Sequence, residues 1–463
     1  MTDDQENATL RYMPQTRALI AHQGMRFNDA QASFTLCCPS RATFLTGEYA
    51  HNHGVLGDSA PTGGWYKFNR DGKEAKDLPV ALQHAGYNTA LIGKYLNGWG
   101  ADTPVSKPPP PPPGWTQFYG GVGRTVYNMW GFTIAHNGHA HTYPNDPSNA
   151  AAYQTNVLTN LATRQIRRFA GQRRPFMVSV FPVAPHYEEN PAVRRGYIRP
   201  APKYRHALAG LQLHRTPSFN ERNVSDKPPY IRRRQLLAPK LITKLTRQNL
   251  GRVQSLLSVD DMVGRIVAEL KRTGQLANTV ILFTSDNGFV QGQHRIFHGK
   301  IVPYGDSPRI PLIFRGPGFL RNAKSRAVVA NIDLAPTLLR LAHAHPLIQP
   351  DGISLLPLLH GKATATGRDL LLEDLDKASV GEEGTGGGSY EPYQAIRTSR
   401  WLYVDYFDPR QGVELYDLRR DPDDLHNLAN DPRYARIRLR LTRRLDAIRN
   451  CAGASCRRGR VHP

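Results

Sequence analysis

The chain is poor in cysteine. Only four occur in 463 residues, as two close pairs, Cys37 with Cys38 and Cys451 with Cys456. No C-x2-C pair is present. That excludes the ligand spacing of common zinc modules and of thioredoxin-like redox sites. There is no run of about 18 apolar residues, so no membrane span is expected. Acidic residues are scarce: 38 Asp and Glu stand against 60 Lys and Arg, a formal net charge of +22. Such a balance favours polyanionic partners, among them nucleic acid, acidic glycans and anionic surfaces. The chain carries no zinc finger, no aromatic-basic RNA-binding signature and no basic helix with heptads, so nucleic acid is not expected. Met1 is followed at once by "TDDQEN", so no signal peptide is read in the chain as given. Internal repeats are also missing.

What is present points to an α/β fold. Apolar, β-rich runs alternate with helical patterns over the first three quarters of the chain. Strands are expected at 87–93 ("YNTALIG"), 176–181 ("FMVSVF"), 279–285 ("TVILFTS") and 310–314 ("IPLIF"). Val253, Leu256, Leu257, Met262, Val263, Ile266, Val267 and Leu270 repeat at helical spacing, with Gly274 as the stop. The stretch 190–240, rich in Pro, Arg and Tyr, reads as a long surface excursion, and 379–389 ("SVGEEGTGGGS") as a mobile loop. Beyond it, "AIRTSRWLYVDYF" and "VELYDLRRDP" predict a smaller antiparallel unit. The expected division is 1–370 for a large domain and 371–463 for a small one with a basic tail.

Polar residues cluster just past the predicted strands. Lys94 and Asn97 follow the first, His186 the second, and Asp286 and Asn287 the third. In open α/β sheets, ligands bind beyond the carboxyl ends of the strands. Asp3 and Asp4 would fit the same pattern, but no strand precedes them from Met1, so their support is expected to be missing. Asp3, Asp4, Asp286 and Asn287 form an all-oxygen set suited to Ca2+ or Mg2+.

The stretch "TLCCPSRATFLTG" (35–47) sets two adjacent cysteines at a predicted helix start. Pro39 suits the first helical position and Gly47 the end. Cys37 would then lie just before a helix N-terminus, where the dipole lowers a thiol pKa. On local chemistry it is either a buried small hydrophobe or a reactive residue.

These stretches together resemble one family. "CCPSRATFLTG" matches the sulfatase signature C-x-P-S-R-x-x-x-L-T-G at each fixed position, starting from Cys37. "TDDQ" resembles its first metal-binding pair, "APH" (184–186) its histidine motif, and "FTSDNG" with "GQHRIFHGK" its second metal pair and downstream lysine. "GKYLNGW" (93–99) and "FNERNVSDKP" resemble the N-acetylglucosamine-6-sulfatase-like branch. The resemblance runs from Thr2 to the "ELYDLRRDPDDLHNLA" segment near 429.

The resemblance implies an alkaline-phosphatase-like sandwich: a large mixed, mostly parallel sheet flanked by helices, plus a smaller C-terminal antiparallel subdomain. It implies a type I sulfatase, a sulfuric ester hydrolase that releases sulfate from a sulfated sugar, with N-acetylglucosamine-6-sulfate the first substrate expected. Cys37 would be oxidised to formylglycine (3-oxoalanine) by a separate maturation enzyme. One hydroxyl of the hydrated aldehyde attacks sulfur; the other then loses its proton and expels sulfate. Asp3, Asp4, Cys37, Asp286 and Asn287 would hold a divalent cation, Ca2+ or Mg2+. Arg41 would support the hydrate, Lys94 and Lys300 would bind sulfate oxygens, His186 would protonate the leaving oxygen, and Asn97 would contact substrate. Many sulfatases carry a histidine where this chain has Leu96, which leaves the base acting on the hydrate unassigned; His51 and His53 are the candidates considered. The family implies an extracytoplasmic setting, to which a Cys451–Cys456 disulfide would be suited. Two alternatives stand beside this reading: a phosphodiesterase or phosphonate hydrolase of the same superfamily, and a non-catalytic polyanion-binding relative.

Overall fold

A computed structural model describes residues 1–376 and 390–457; the glycine-rich stretch expected to form a loop at 379–389 lies outside them. The predicted strands are present as β2 (Asn88–Gly93), β6 (Phe176–Phe181), β7 (Ile281–Thr284) and β8 (Leu312–Arg315). The first three end just short of the polar residues singled out above.

The mixed sheet is built in two halves. One has five strands in the order β5-β4-β3-β2-β6, with β3 (Gln117–Gly121), β4 (Thr133–His136) and β5 (His139–Thr142). Its β3-β2-β6 part is parallel and its β3-β4-β5 part antiparallel. The other has the order β7-β8-β1-β9, with β1 (Met25–Gln31) and β9 (Ala323–Ala330). There only β1 and β9 run parallel. Met1 and Thr2 bridge the halves: the amino group of Met1 donates to Val180 O (3.0 Å), and Thr2 N donates to Thr284 O (2.9 Å). The Asp3–Asp4 pair therefore does emerge from a strand position, a very short one, paired in parallel at Thr2 with Ser285.

Each face of the halves is covered by an apolar layer. On one side Phe27, Phe314, Leu91 and Phe181 pack with Cys38 and Ala42 from the helix Cys37–Thr46. On the other, Leu256, Val259, Val263 and Val267 pack against Phe283 and Ile313. These last four helical residues belong to the helix Pro239–Arg272, whose apolar stripe is the one legible in the sequence. Burying a side chain such as Phe27 stabilises by about 1.5–3 kcal/mol, which is the term that fixes where the strand ends meet. The third sheet is fully antiparallel: β10 (Leu370–Asp374), β11 (Tyr393–Arg397), β12 (Trp401–Tyr406) and β13 (Val413–Asp417). Cys451 and Cys456 are disulfide-bonded beside it.

Candidate active site

The signature helix begins at Cys37, two residues earlier than the proline had suggested, and Pro39 is its third residue. The first-turn amides have no helical acceptor, so a proline costs nothing at any of these positions. The first helical hydrogen bond is Ser40 N to Leu36 O. Each polar fixed position has a local task. Ser40 Oγ donates to Asp286 O and accepts from Asn331 Nδ2 (2.9 Å), pinning the helix to the end of β7. Gly47 caps the helix at φ 74°, where an added Cβ would lie 2.8 Å from Pro350 Cβ.

Cys37 is fully buried. Its sulfur lies 3.2 Å from Asp3 Oδ1 and 2.8 Å from Lys300 Nζ. Ligand atoms of Asp3, Asp4, Cys37 and Asp286 all lie within 4.8 Å of one another. Asn287 joins them, donating from Nδ2 to Asp4 Oδ1 (2.6 Å). Three cations close the cluster. Arg41 bridges Asp286 Oδ2 (2.8 Å) and Asp3 Oδ2 (3.1 Å), Lys94 Nζ lies 2.7 Å from Asp3 Oδ2, and Lys300 Nζ lies 2.8 Å from Asp4 Oδ1. Every residue proposed from the sequence for metal or sulfate thus converges on one buried point.

The electrostatics follow from burial and pairing. Burial alone would raise the Asp3 pKa, but Lys94 and Arg41 outweigh it and hold the carboxyl well below its ordinary range. Asp286 moves the other way: burial, then the Asp3 charge, push it up against Arg41. Burial would strip the protons from Arg41 and Lys94, yet Asp286 and Asp3 keep both firmly charged.

A cation fits this oxygen set. Asp4 Oδ2 and Asn287 Oδ1 are buried and accept no hydrogen bond among the described residues. Hard oxygen donors suit Ca2+ or Mg2+. The backbone is also strained here, with Asp4 at φ 62° and the β-branched Ile301, next to Lys300, at φ 67°. Gly93 precedes Lys94 at φ 113°, and a Cβ there would strike Phe181 O at 2.2 Å. Only glycine lets β2 release Lys94 at that height.

His186 donates from Nδ1 to Tyr187 O (2.7 Å), since a carbonyl can only accept, and turns Nε2 toward Asp4 Oδ2 at 3.8 Å. Asn97 sits one shell out, donating to Tyr127 OH (3.0 Å), whose ring lies 4.7 Å below Lys94 Nζ and 4.9 Å from His186. Cys38 is buried, with its amide on Asp58 Oδ1 (2.8 Å), and burial pushes its thiol pKa up, as expected of a packed residue.

His51 and His53, considered as bases, make their bonds elsewhere. His51 pairs with Glu373 (2.9 Å) and donates from Nε2 to Cys451 O of the C-terminal loop (2.8 Å), while His53 bonds Thr43 Oγ1 (3.0 Å) and accepts from Val55 N (3.1 Å). Arg252 was not singled out from the sequence. It donates to Asp4 O (2.6 Å), Glu6 Oε2 (2.8 Å) and Pro185 O (3.2 Å), tying both metal-side and histidine motifs to one helix. Its signal was there: Arg252 lies four residues before Leu256 on an otherwise apolar stripe.

Comparison with known proteins agrees with this site. The family model described as Sulfatase matches residues 3–344, and one described as N-sulphoglucosamine sulphohydrolase, C-terminal, matches 292–451. Human N-acetylglucosamine-6-sulfatase is 32% identical over 99% of this chain and 85% of its own length. An arylsulfatase from Volvox carteri is 31% identical over 98% of this chain and 74% of its own. Among solved structures, one in complex with its substrate D-glucosamine-2-N,6-O-disulfate superposes with TM-score 0.74, at 22% identity over 96% of this chain and 95% of that one. The phosphonate monoester hydrolase from Silicibacter pomeroyi superposes with TM-score 0.72, at 22% identity over 97% and 94%. The alkaline-phosphatase-like fold is shared by both kinds of enzyme. The matched signature, the near-complete coverage and the convergence on Cys37 make this chain a member of the sulfatase family, and a sulfatase.

Proposed function

We propose that the protein releases sulfate from the 6-position of N-acetylglucosamine, or of a closely similar glucosamine unit, in a sulfated glycan. The observation that carries the reading is the meeting of Lys94, Lys300 and Arg41 with Asp3, Asp4, Asp286 and Asn287 around Cys37 Sγ. The similarity to N-acetylglucosamine-6-sulfatases over nearly the whole chain supports the sugar.

Cys37, converted to formylglycine by a maturation enzyme, supplies the hydrated aldehyde as nucleophile. A bound Ca2+, or Mg2+, supplies Lewis-acid polarisation of a sulfate oxygen. The rest is work for the chain's own side chains. Lys94 and Lys300 approach from two sides and hold sulfate oxygens as compact positive charges, which counts most as charge builds up in the transition state. Arg41 holds Asp3 and Asp286 at fixed separation. His186 needs a second proton, on Nε2, to act as general acid on the leaving sugar oxygen, and Nε2 lies 3.8 Å from Asp4 Oδ2. Asn97, which donates to Tyr127 OH, is the residue assigned to contact with the sugar.

The Cys451–Cys456 disulfide supports an oxidising, extracytoplasmic setting. No helix among the described residues is long and apolar enough to cross a membrane.

The test is sulfate release from N-acetylglucosamine-6-sulfate and its positional isomers, beside an aryl sulfate and a phosphonate monoester, with peptide mass spectrometry at Cys37. An aldehyde at Cys37 and preference for the 6-sulfate are expected. Faster turnover of the phosphonate would select the phosphonate hydrolase reading, and no turnover with an unmodified thiol would select the non-catalytic one.

A further inference from the structure

Histidine is concentrated in one place. Three of the 17 histidines fall within six residues, at His136, His139 and His141. They flank the turn of the β4–β5 hairpin. Asn137 and Gly138 make that turn at φ 48° and 89°, the left-handed pair that a two-residue hairpin needs. Asn137 also ties it to β3, accepting from Phe118 N (2.8 Å) and donating to Phe118 O (2.9 Å). The register is thereby fixed: His136 lies opposite His139, and Ile134 opposite His141. Directly opposed residues share a face, and so do residues two apart on one strand. All three imidazoles therefore project from one face of the sheet, and all three residues are exposed.

The same face carries two guanidinium groups. Tyr119 and Ile134 pack there with Leu158 and Leu161 of the helix Gln154–Ala170. Arg164 and Arg168 stand one turn apart on that helix, so they are neighbours. Both are exposed, and neither has an ion-pair partner among the described residues, whereas Arg167 between them pairs with Glu269 (3.1 Å). His136 stacks on Tyr119 (4.2 Å) and donates from Nε2 to Gln117 Oε1 (3.0 Å). Burial, then Arg168, His139 and Arg164, hold its pKa below the ordinary value, so the charged neighbours acting on it are cations. The same two arginines act on Tyr119, and Arg164 acts on Tyr143, whose ring meets His141 edge-on at 4.6 Å. A metal does not suit this set. Among the described residues, only Asp3, Asp4, Cys37 and Asp286 bring ligand atoms within 4.8 Å of one another, and two arginines repel a cation.

We propose that this face, His136, His139 and His141 with Arg164 and Arg168, is a docking surface for a sulfated glycan chain. Two permanent cations and three groups that become cationic in mild acid are complementary to a row of sulfates. Tyr143 offers a half-buried ring beside them, against which a sugar can pack. Strand β5 is an outer strand, paired among the described residues only with β4, so an extended chain has open access to it. Lys94 leaves the carboxyl end of β2, and three strand spacings of ~4.8 Å, roughly 14 Å in all, separate β2 from β5. The surface is thus separate from the catalytic centre, yet one oligosaccharide can reach both. The choice of a glycan among polyanions rests on the function proposed above. Because an imidazole ordinarily gains its proton near pH 6.5, the surface gains charge in acid and holds the chain more tightly there.

The probe is a size-defined heparin dodecasaccharide, titrated into the full chain at about 0.15 M salt. Binding is expected to be about tenfold tighter at pH 5.5 than at pH 7.5. His139→Gln with His141→Gln should cut that ratio below about threefold, and Arg164→Gln with Arg168→Gln should weaken binding about fivefold at both pH values. In both double variants kcat/KM on N-acetylglucosamine-6-sulfate should stay within about twofold of the parent, because that sugar reaches only the catalytic centre. Equal affinity of the parent at both pH values, or a pH ratio untouched by the histidine substitutions, would overturn the proposal. A DNA oligonucleotide of equal charge that binds as tightly, and is lost with the same substitutions, would overturn the assignment to glycans. Footprinting reads the surface without any substitution. The dodecasaccharide should shield His139 and His141 from carbethoxylation at pH 6, followed by peptide mass spectrometry, and no shielding at saturation refutes the surface. Docking that persists in a protein releasing sulfate from no sulfated sugar would support the surface and count against the proposed function alone.

Discussion

Glu414 and Asp4 are both carboxylates sealed from solvent, yet one is fully satisfied and the other is not. Both oxygens of Glu414 accept hydroxyls: Tyr304 reaches the pair at 2.9 and 3.0 Å, Tyr406 reaches Oε1 at 2.5 Å, and Tyr416 reaches Oε2. Burial raises its pKa, and the tyrosine hydroxyls partly oppose that. Asp4 takes Lys300 and Asn287 on Oδ1, accepts no hydrogen bond on Oδ2 among the described residues, and sits in a left-handed backbone conformation. A satisfied buried network holds a structure together. An under-satisfied, strained one is held in place by its surroundings for chemistry. The Glu414 cluster joins the C-terminal sheet to the loop after Lys300, and the Asp4 cluster is what that joint steadies.

Mutations at the two clusters should therefore separate turnover from stability. The largest effect is expected at Cys37. Cys37→Ser should abolish turnover with little change in Tm, while Cys38→Ala keeps at least a tenth of it; steady-state kinetics with thermal unfolding on both variants decide this, and equal losses would deny Cys37 its special role. Next comes Lys300→Ala, expected to lower kcat/KM about 10²–10³-fold, the range found when one preorganised charge is removed from a transition state. A loss within threefold would leave Lys94 as the main sulfate ligand. Third, Glu414→Leu leaves three buried tyrosine hydroxyls without their acceptor and should cost about 3 kcal/mol of stability, read by denaturant titration, with kcat unchanged in the folded fraction.

The smallest effect concerns pH. Burial pulls the His51 pKa down, but its bonds to Glu373 and Cys451 O raise it from 6.5 to about 9. A raised folded-state value means that the stabilisation is fully present below pH 6.5 and is lost as pH rises toward 9. His51→Gln should flatten that decline, worth on the order of 2 kcal/mol. Stability profiles of the two proteins that stay parallel from pH 6 to pH 9.5 would remove the charged His51–Glu373 pair from the account.

The sequence showed the site better than it showed the sheet. Strand ends were legible because apolar runs stop abruptly at Lys94, His186 and Asp286, and the signature helix was legible from Pro39 and Gly47. The helix start was misplaced because proline is neutral anywhere in a first turn, so Pro39 could not fix it. The split of the sheet was not legible in its strands, since nothing in the residues of β6 says that one of its edges has no strand partner among the described residues. Arg252 escaped notice because an apolar period is read by its hydrophobic members, and a buried arginine on the stripe is counted as a gap. The roles of His51 and His53 could not be separated in "HNHG", where two residues of spacing carry one ring toward the C-terminal loop and the other under the signature helix.

The complete burial of Cys37 imposes an order on events in time. Its sulfur is enclosed by Asp3 from one end of the catalytic region and by Lys300 from the other, 263 residues downstream. If Cys37 is modified as proposed, the modifying enzyme must therefore act on the unfinished or unfolded chain. At a synthesis rate of about 5–20 residues per second, the interval between the appearance of Cys37 and that of Lys300 is roughly 13–50 s. Slower closure of the fold would lengthen that interval, and on the proposed reading a sequence change that hastened closure would leave more chains with an unmodified thiol.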